Sequence, residues 1–539
     1  MEEKNKVLNI AFIYLIIFIP DILLMYLGHV NLTGIVASLT FLTTALIIIN
    51  RISWFYITAL PWLLISPLES WYVWHFQTPS NEHIIGVLLE TNLREILELS
   101  SYKELLLYIL YLLFLLIKIS SNLCYKSNLL NKEIVKAKVS SIGLSVLTII
   151  CLLLEINVHA SSTDNFLKST SKFGESFLVG TVAKVISAYK ELNQISKLNE
   201  YKSTFSFNAQ KDFQGEEVHV LMIGETSRFD RWHLNGYKRE TNPLLETIDE
   251  IISFQDINSN WSLTRNSVPT IITRKNPQNE TVLFNEKSII SAFTEAGFKS
   301  YWLSNQSYIG EHDSIISTYA SEASEKSFIN TSPYNTSSKY DIELVTKLSE
   351  ILKSNGSKFI VMHLLGSHHD YNDRYPEQFN VYSPSNYGNK TNLYDIRNIN
   401  KLNNAYDNTI LYTDFIIYKT IKLLEELNIK SSITYASDHG ESLFDDGISS
   451  GHGLINKKNF HVPLFLWHSK KLIKYKSKKI SNAKKNVKKP LTNSFVFQSL
   501  LDIANIKIDN EDKNFSYYHM EPKSITRIVQ GQYSYDNLE

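Results

Sequence analysis

Cysteine is almost missing from this chain: of 539 residues only Cys124 and Cys151 carry a thiol, both inside or beside apolar runs. The remaining two thirds can therefore build neither a disulfide framework nor a thiolate zinc site, and any metal held there needs histidine and carboxylate ligands. A surplus of charge is missing too, since Lys+Arg and Asp+Glu both number 54, and with it goes the global signature of nucleic-acid binding. Internal repeats and low-complexity tracts are absent. No small-x-small cleavage site follows the first apolar run, which speaks against a removable signal peptide.

What is there is unevenly spread. Hydrophobic residues make up 44% of the chain and crowd into its first 160 positions, while the length calls for two or more units. Five apolar stretches, near 8–27, 32–49, 53–69, 104–119 and 139–157, approach the roughly 20 residues that cross a bilayer as helix. Runs such as LLLYILYLLFLLI have no polar face at any helical period, so buried globular helices do not account for them. A five-span α-helical membrane domain over 1–157 is expected. Arg51 and the cluster Lys118, Lys126, Lys132, Lys136 and Lys138 place their loops on the cytoplasmic side, and an odd number of spans then exports the C-terminal part. The outer loop at about 70–103 holds Trp71, Tyr72 and Trp74, fitted to a headgroup boundary, and an interfacial helix LLETNLREILEL. Residues 158–212 read as an amphipathic bridge, leaving 213–539 as the exported domain.

From about 216 short β-rich runs alternate with helical ones: VHVLMIG, KSYWLS, FIVMHLLG, ITYAS and VPLFLW, with helices such as 341–355, for which Asp341 is a predicted N-cap, and 403–427. This predicts an α/β domain with a central, mostly parallel sheet. Glu225, Asn305, the pair His368 and His369, and the pair Asp438 and His439 each follow a different candidate strand. The carboxyl ends of parallel strands share one edge, so these groups can converge.

Glu225, Asp438 and His439 supply the O and N donors zinc accepts, although each alone is more often a capping or salt-bridged residue. In Ser262-Leu263-Thr264-Arg265-Asn266-Ser267-Val268-Pro269 two readings stay open. A hydroxyl caps the helix that begins there, or it attacks phosphorus with help from a metal and the helix N-terminus. His368 and His452, flanked by small residues, can bind phosphate oxygens, move a proton or hold a second metal. The run 470–489 contains ten lysines and no acid, a solvated face or a docking surface for anionic lipid or glycolipid.

The motifs Gly224-Glu225-Thr226-Ser227-Arg228, Leu234-Asn235-Gly236-Tyr237 and Glu240-Thr241-Asn242-Pro243 resemble the bacterial phosphoethanolamine transferases, which include lipid A modifying enzymes of polymyxin resistance. The resemblance continues at Thr264 with Ser267-Val268-Pro269, at Gly366-Ser367-His368, at Ser437-Asp438-His439-Gly440-Glu441-Ser442-Leu443 and at His452-Gly453. It implies an alkaline phosphatase/sulfatase-like fold, an inner-membrane anchor with several spans, and a periplasmic catalytic domain. It implies a zinc ion, or two, with Glu225, Thr264, Asp438 and His439 as ligands and Thr264 as nucleophile. His368 and His452 would bind phosphate or the second zinc. Asn305 would touch the headgroup, and Thr91 and Glu95 would lie near the lipid. The implied partners are phosphatidylethanolamine as donor and a lipooligosaccharide core sugar or lipid A as acceptor, with no nucleic acid.

Two departures stand out. The outer domain has no cysteine where lipid A modifying members usually carry several disulfides, and Ile309 replaces an expected lysine in a segment, Ser304-Asn305-Gln306 followed by Gly310-Glu311-His312-Asp313, that looks more like the branch that decorates core sugars. Phosphoglycerol transfer and a non-catalytic relative are the competing readings. A sulfatase activity fits poorly, because Ser267-Val268-Pro269 is followed by Thr270-Ile271 without the arginine its modified nucleophile requires.

Overall fold

A computed structural model describes residues 2–27, 32–49, 51–76, 79–80, 102–123, a few positions between 177 and 185, and 204–539 apart from 213–214, 277–281, 307–314, 331–338 and 390. The chain forms two compact units, the second containing Gln194–Glu539.

In the first unit the apolar runs form α1 (Glu2–Tyr26), α2 (Leu32–Ile49), α3 (Ile52–Phe76) and α4 (Tyr102–Leu123), with α3 packed against the other three. Among the described residues, Val7–Tyr26 and Lys103–Ser121 are long and apolar enough to cross a membrane, and Gly34–Ile49 is a shorter apolar helix. The third run does not stop at 69. Helix continues to Phe76 past Pro61 and Pro67, so Trp71, Tyr72 and Trp74 ride on its last turns rather than in a loop. The fifth run at 139–157, the interfacial segment, and Thr91 and Glu95 lie outside the described residues.

The second unit is built on seven strands: β1 (Glu217–Gly224), β2 (Ile252–Phe254), β3 (Lys299–Ser304), β4 (Glu325–Phe328), β5 (Lys358–His363), β6 (Lys430–Ser437) and β7 (Leu464–His468). Their order across the sheet is β2-β7-β6-β1-β5-β3-β4. Neighbours from β6 to β4 run parallel, and β7 runs antiparallel to both β6 and β2, which makes the sheet mixed. β1 is buried along its whole length. Val218, Val220 and Met222 enter one core and Leu221 and Ile223 the other, as expected of a central strand covered on both faces.

Helices α5 (Thr264–Ile272), α6 (Ile342–Leu352), α7 (Ile399–Glu426), α8 (Lys470–Tyr475) and α9 (Ser477–Asn486) are the ones that bear on function. The packed body starts before residue 213. Phe207 and Ala209 belong to the core on the α9 face, and the Gln210 and Lys507 backbones exchange two hydrogen bonds, because an aromatic with core to fill does not stay in a linker.

Candidate metal centre and nucleophile

Glu225 leaves the end of β1, and Asp438 and His439 leave the end of the adjacent β6, where Gly224 stands opposite Ser437. Two hydrogen bonds stitch the two ends together: Asp438 N donates to Gly224 O (2.9 Å), and Thr226 N donates to Asp438 Oδ1 (2.9 Å), which also accepts from the neighbouring His439 N (2.6 Å). Thr226 is held in the left-handed region at φ 57°, a strained setting for a β-branched residue. Its hydroxyl donates to Glu225 Oε1 (2.6 Å) and its carbonyl accepts from Tyr406 Oη (2.6 Å), so its neighbours over-determine the turn. Gly366 packs against this turn at φ +49°; a Cβ there would lie 2.9 Å from Glu225 O and 3.0 Å from Glu225 N. Gly440 is equally constrained, because a Cβ would meet Lys458 O at 2.1 Å.

Thr264 is the first residue of α5, and the N-cap is Leu263, which has no side-chain capping bond. The Thr264 hydroxyl is therefore not spent on the helix. It lies 3.1 Å from both Glu225 oxygens and 3.2 Å from His439 Nε2. Ser262, the other cap candidate, accepts a bond from Gln530 instead (2.6 Å).

The electrostatics call for a cation. Burial, reinforced by Asp438, pushes the Glu225 carboxyl well above the carboxylate range. Burial also raises Asp438, although backbone N–H groups of Thr226 and His439 oppose it. His439 is driven down to about 3 by burial and then by His452, so its ring is neutral. Its Nδ1–H donates to Gly440 O (2.9 Å), which turns the Nε2 lone pair toward the carboxylates. That nitrogen sits 3.5 Å from Glu225 Oε1 and 3.4 Å from Asp438 Oδ2, short separations for groups that are not an ion pair. Asp438 Oδ2 is buried with no hydrogen-bond partner. A tetrahedral ion with ligands at about 2.0–2.2 Å sets ligand atoms about 3.3–3.6 Å apart, so the donor set and its spacing fit zinc.

The other sequence candidates fall around this group. His452 lies beside His439 with ring centroids 4.9 Å apart and the rings tilted by 44°, and its Nδ1 is 3.5 Å from Glu441 Oε1. Burial alone would lower His452, but the Glu441 carboxylate more than offsets it and the net shift is upward. His368 is half-buried on the turn whose Ser367 N donates to Glu225 O (3.0 Å). Asn305 is fully buried, and its amide serves the fold: Nδ2 donates to Asp341 Oδ1 (2.8 Å) and Lys339 O (2.9 Å), and Oδ1 accepts from Asn330 (3.0 Å).

The neighbouring Gln306, not singled out from sequence, reaches the centre instead. Its Nε2 donates to Glu225 Oε2 (3.0 Å) and to Leu364 O (2.9 Å). Only its place after a strand end could have flagged it. Asp341 occupies the N-cap position of α6 but makes no capping bond; its oxygens accept from Leu365 N (2.9 Å) and Gly366 N (3.0 Å). Buried Arg228 makes two bonds to Asp230 beside it and two to Asp445, all 2.8–2.9 Å, and the latter pair ties the β1 turn to the hairpin of Ser442–Leu443 and Ser450–Gly451 that leads to His452.

The family model described as Sulfatase matches residues 218–506. Among curated proteins the chain is similar to the phosphoethanolamine transferase EptC of Escherichia coli strain K12, 26% identical over 364 residues. That match covers 65% of this chain and 62% of the relative, less than two thirds of the relative's length. Among solved structures, the integral membrane lipooligosaccharide phosphoethanolamine transferase A from Neisseria meningitidis superposes with a TM-score of 0.70 at 22% identity, over 94% of this chain and 97% of that one. The C-terminal periplasmic domain of EcEptC from Escherichia coli, in complex with Zn, gives a TM-score of 0.56 at 24% identity, covering 61% of this chain and 96% of that one. At these identities the two structures speak to fold.

Proposed function

Since the chain belongs to the sulfatase family and holds a threonine hydroxyl inside a buried metal-ligand set, we propose that it is a zinc-dependent phosphoethanolamine transferase. The donor is phosphatidylethanolamine and the acceptor an envelope glycolipid, a lipooligosaccharide core sugar or lipid A. The observation that carries this reading is Thr264 Oγ1, uninvolved in capping and 3.1–3.2 Å from the proposed ligand atoms of Glu225 and His439. The names of the relatives, transferases of this headgroup, support the choice of substrate. A five-span inner-membrane anchor over 1–157, with 213–539 on the periplasmic side, would keep the site beside its lipid donor and supply proximity.

Glu225, Thr264, Asp438 and His439 would hold the zinc. When bound, the ion lowers the proton affinity of the threonine hydroxyl and stabilises negative charge on phosphate oxygens. Thr264 Oγ1 attacks phosphorus while a Glu225 oxygen takes its proton, and the bond from phosphorus to the glycerol oxygen breaks. His452, whose proton affinity the Glu441 carboxylate raises, gives a proton to the departing diacylglycerol. The N-terminus of α5 faces the phosphate and favours its charge. In the second half an acceptor hydroxyl attacks the phosphothreonine and gives its proton to His452, while the bond from phosphorus to Thr264 Oγ1 breaks and Glu225 returns the proton to that oxygen. His368 binds phosphate oxygens from the Gly366 turn, or joins His452 at a second zinc.

The test is mass analysis of the Thr264 peptide after the zinc-loaded protein meets phosphatidylethanolamine. A phosphoethanolamine adduct on Thr264, absent from Thr264→Ala, is expected. Release of diacylglycerol with Thr264 unmodified sinks the covalent route, and release from phosphatidylglycerol alone overturns the headgroup.

A further inference from the structure

The lysine run of 470–489 is absorbed by neither the metal centre nor the transfer chemistry. It folds into α8 and α9, and Leu472, Lys476, Ile480, Ala483 and Asn486 form their buried stripe. The opposite face carries Lys470, Lys471, Lys474, Lys478, Lys484 and Lys485, all exposed and none with an acidic partner among the described residues. Solvated helix faces ordinarily mix both signs of charge. Here the mixing fails. The whole chain balances 54 basic against 54 acidic residues, so everything outside this segment holds ten more acids than bases.

We infer that the α8–α9 face is a docking surface for an anionic lipid bilayer. Lysines are strongly hydrated point charges on flexible stems, suited to a diffuse negative surface rather than to the bidentate recognition of one phosphate. Tyr475 lies among them, partly exposed, with the ammonium groups of Lys430 and Lys476 over its ring at 4.3 and 4.8 Å, an amphipathic aromatic fitted to the headgroup level. The same chain carries helices long enough to cross a membrane, so a bilayer is tethered within reach and weak attraction suffices.

The placement has a consequence. α8 follows the end of β7, level with the start of β6 and thus at the sheet edge away from Asp438. After α9 the chain reaches Val487, whose carbonyl accepts from Gln255 N (2.7 Å), just beyond the end of β2 and near the catalytic edge. The lysine face therefore runs from one sheet edge to the other.

The experiment uses the full chain in lipid nanodiscs, one set purely zwitterionic and one containing phosphatidylglycerol, with an amine-acetylating reagent and mass analysis. Lys474, Lys478 and Lys485 should react roughly tenfold more slowly on the anionic discs, while exposed Lys353 on the far side of the sheet is unchanged. Salt at about 1 M, where the Debye length falls to about 3 Å, should restore their reactivity. Equal rates on both discs overturn the proposal. Protection that appears only when lipooligosaccharide is added also overturns it, in favour of a glycan. Because neither adduct nor diacylglycerol is measured, the outcome is independent of the transfer reading.

Discussion

Replacing Gln306 with methionine, close in volume but without the amide, removes one hydrogen bond from Glu225 and one from the Leu364 carbonyl. The two losses differ in size. A bond from a neutral amide to an ionised carboxylate contributes about 1.5–3 kcal/mol, against about 1 kcal/mol for the bond to a neutral carbonyl. Without a cation, burial and Asp438 push the Glu225 carboxyl toward its neutral form, so this bond is weaker than when zinc holds the carboxylate ionised. Zinc affinity should therefore fall by about 2- to 30-fold in Gln306→Met, the difference between the charge-assisted and the neutral bond, while the zinc-free protein loses about 2 kcal/mol of stability for its two neutral bonds. Competition against a chelating indicator gives the affinity, and thermal unfolding with and without zinc gives the stability. Unchanged zinc affinity in a folded Gln306→Met protein would refute the idea that this amide orients the ligand. An equal loss with and without zinc would mean that Glu225 carries the same charge in both forms, and the dependence on the metal would fall.

Gly366→Ala should displace Glu225, since the new Cβ would sit 2.9 Å from its carbonyl oxygen at a φ of +49°. We expect a loss of about 1–3 kcal/mol in thermal unfolding together with a lower zinc content after dialysis. Asp414, buried at α7 with Leu244 N and Leu245 N donating to it at 3.0 Å each, is raised to about 7 by burial. A raised folded pKa means that its contribution is present below about pH 4 and is lost as the pH rises through about 7, at most about 4 kcal/mol. Asp414→Asn should therefore flatten the fall in stability across that window, at the cost of about one hydrogen bond, and unfolding curves at pH 5 and pH 8 check it. Parallel pH dependences for the two proteins would exclude Asp414 as a source.

How much of this was legible beforehand depended on whether a signal was periodic. Continuous apolar runs such as VHVLMIG and ITYAS marked central strands, and polar residues directly after them marked the shared edge, so the convergence of Glu225, Asp438 and His439 followed from sheet geometry. Side-chain direction past a strand end has no such period. Asn305 and Gln306 follow β3 equally well in sequence, yet the first turns into the fold toward Asp341 and the second toward Glu225. Asp341 illustrates the same limit, because a helix-start position says nothing about a loop more than twenty residues later that needs its oxygens. The Thr264 hydroxyl could not be separated from a cap until Leu263 was found in that position. Helix ends in apolar runs were also indistinct, as α3 passed its polar tail without a break.

The stitching of Glu225 and Asp438 through the ends of two neighbouring central strands bears on how such a protein can change over generations. Strand spacing is dictated by the hydrogen-bond ladder, so the separation of Glu225 from Asp438 is inherited from the backbone and only its fine adjustment falls to the Gly366 turn and Gln306. Loops that touch neither the Gly366 turn nor the Arg228 clamp are then free to lengthen, shorten or exchange residues while that geometry stays fixed. Residues 213–539 contain no cysteine, so no disulfide locks any new loop in place.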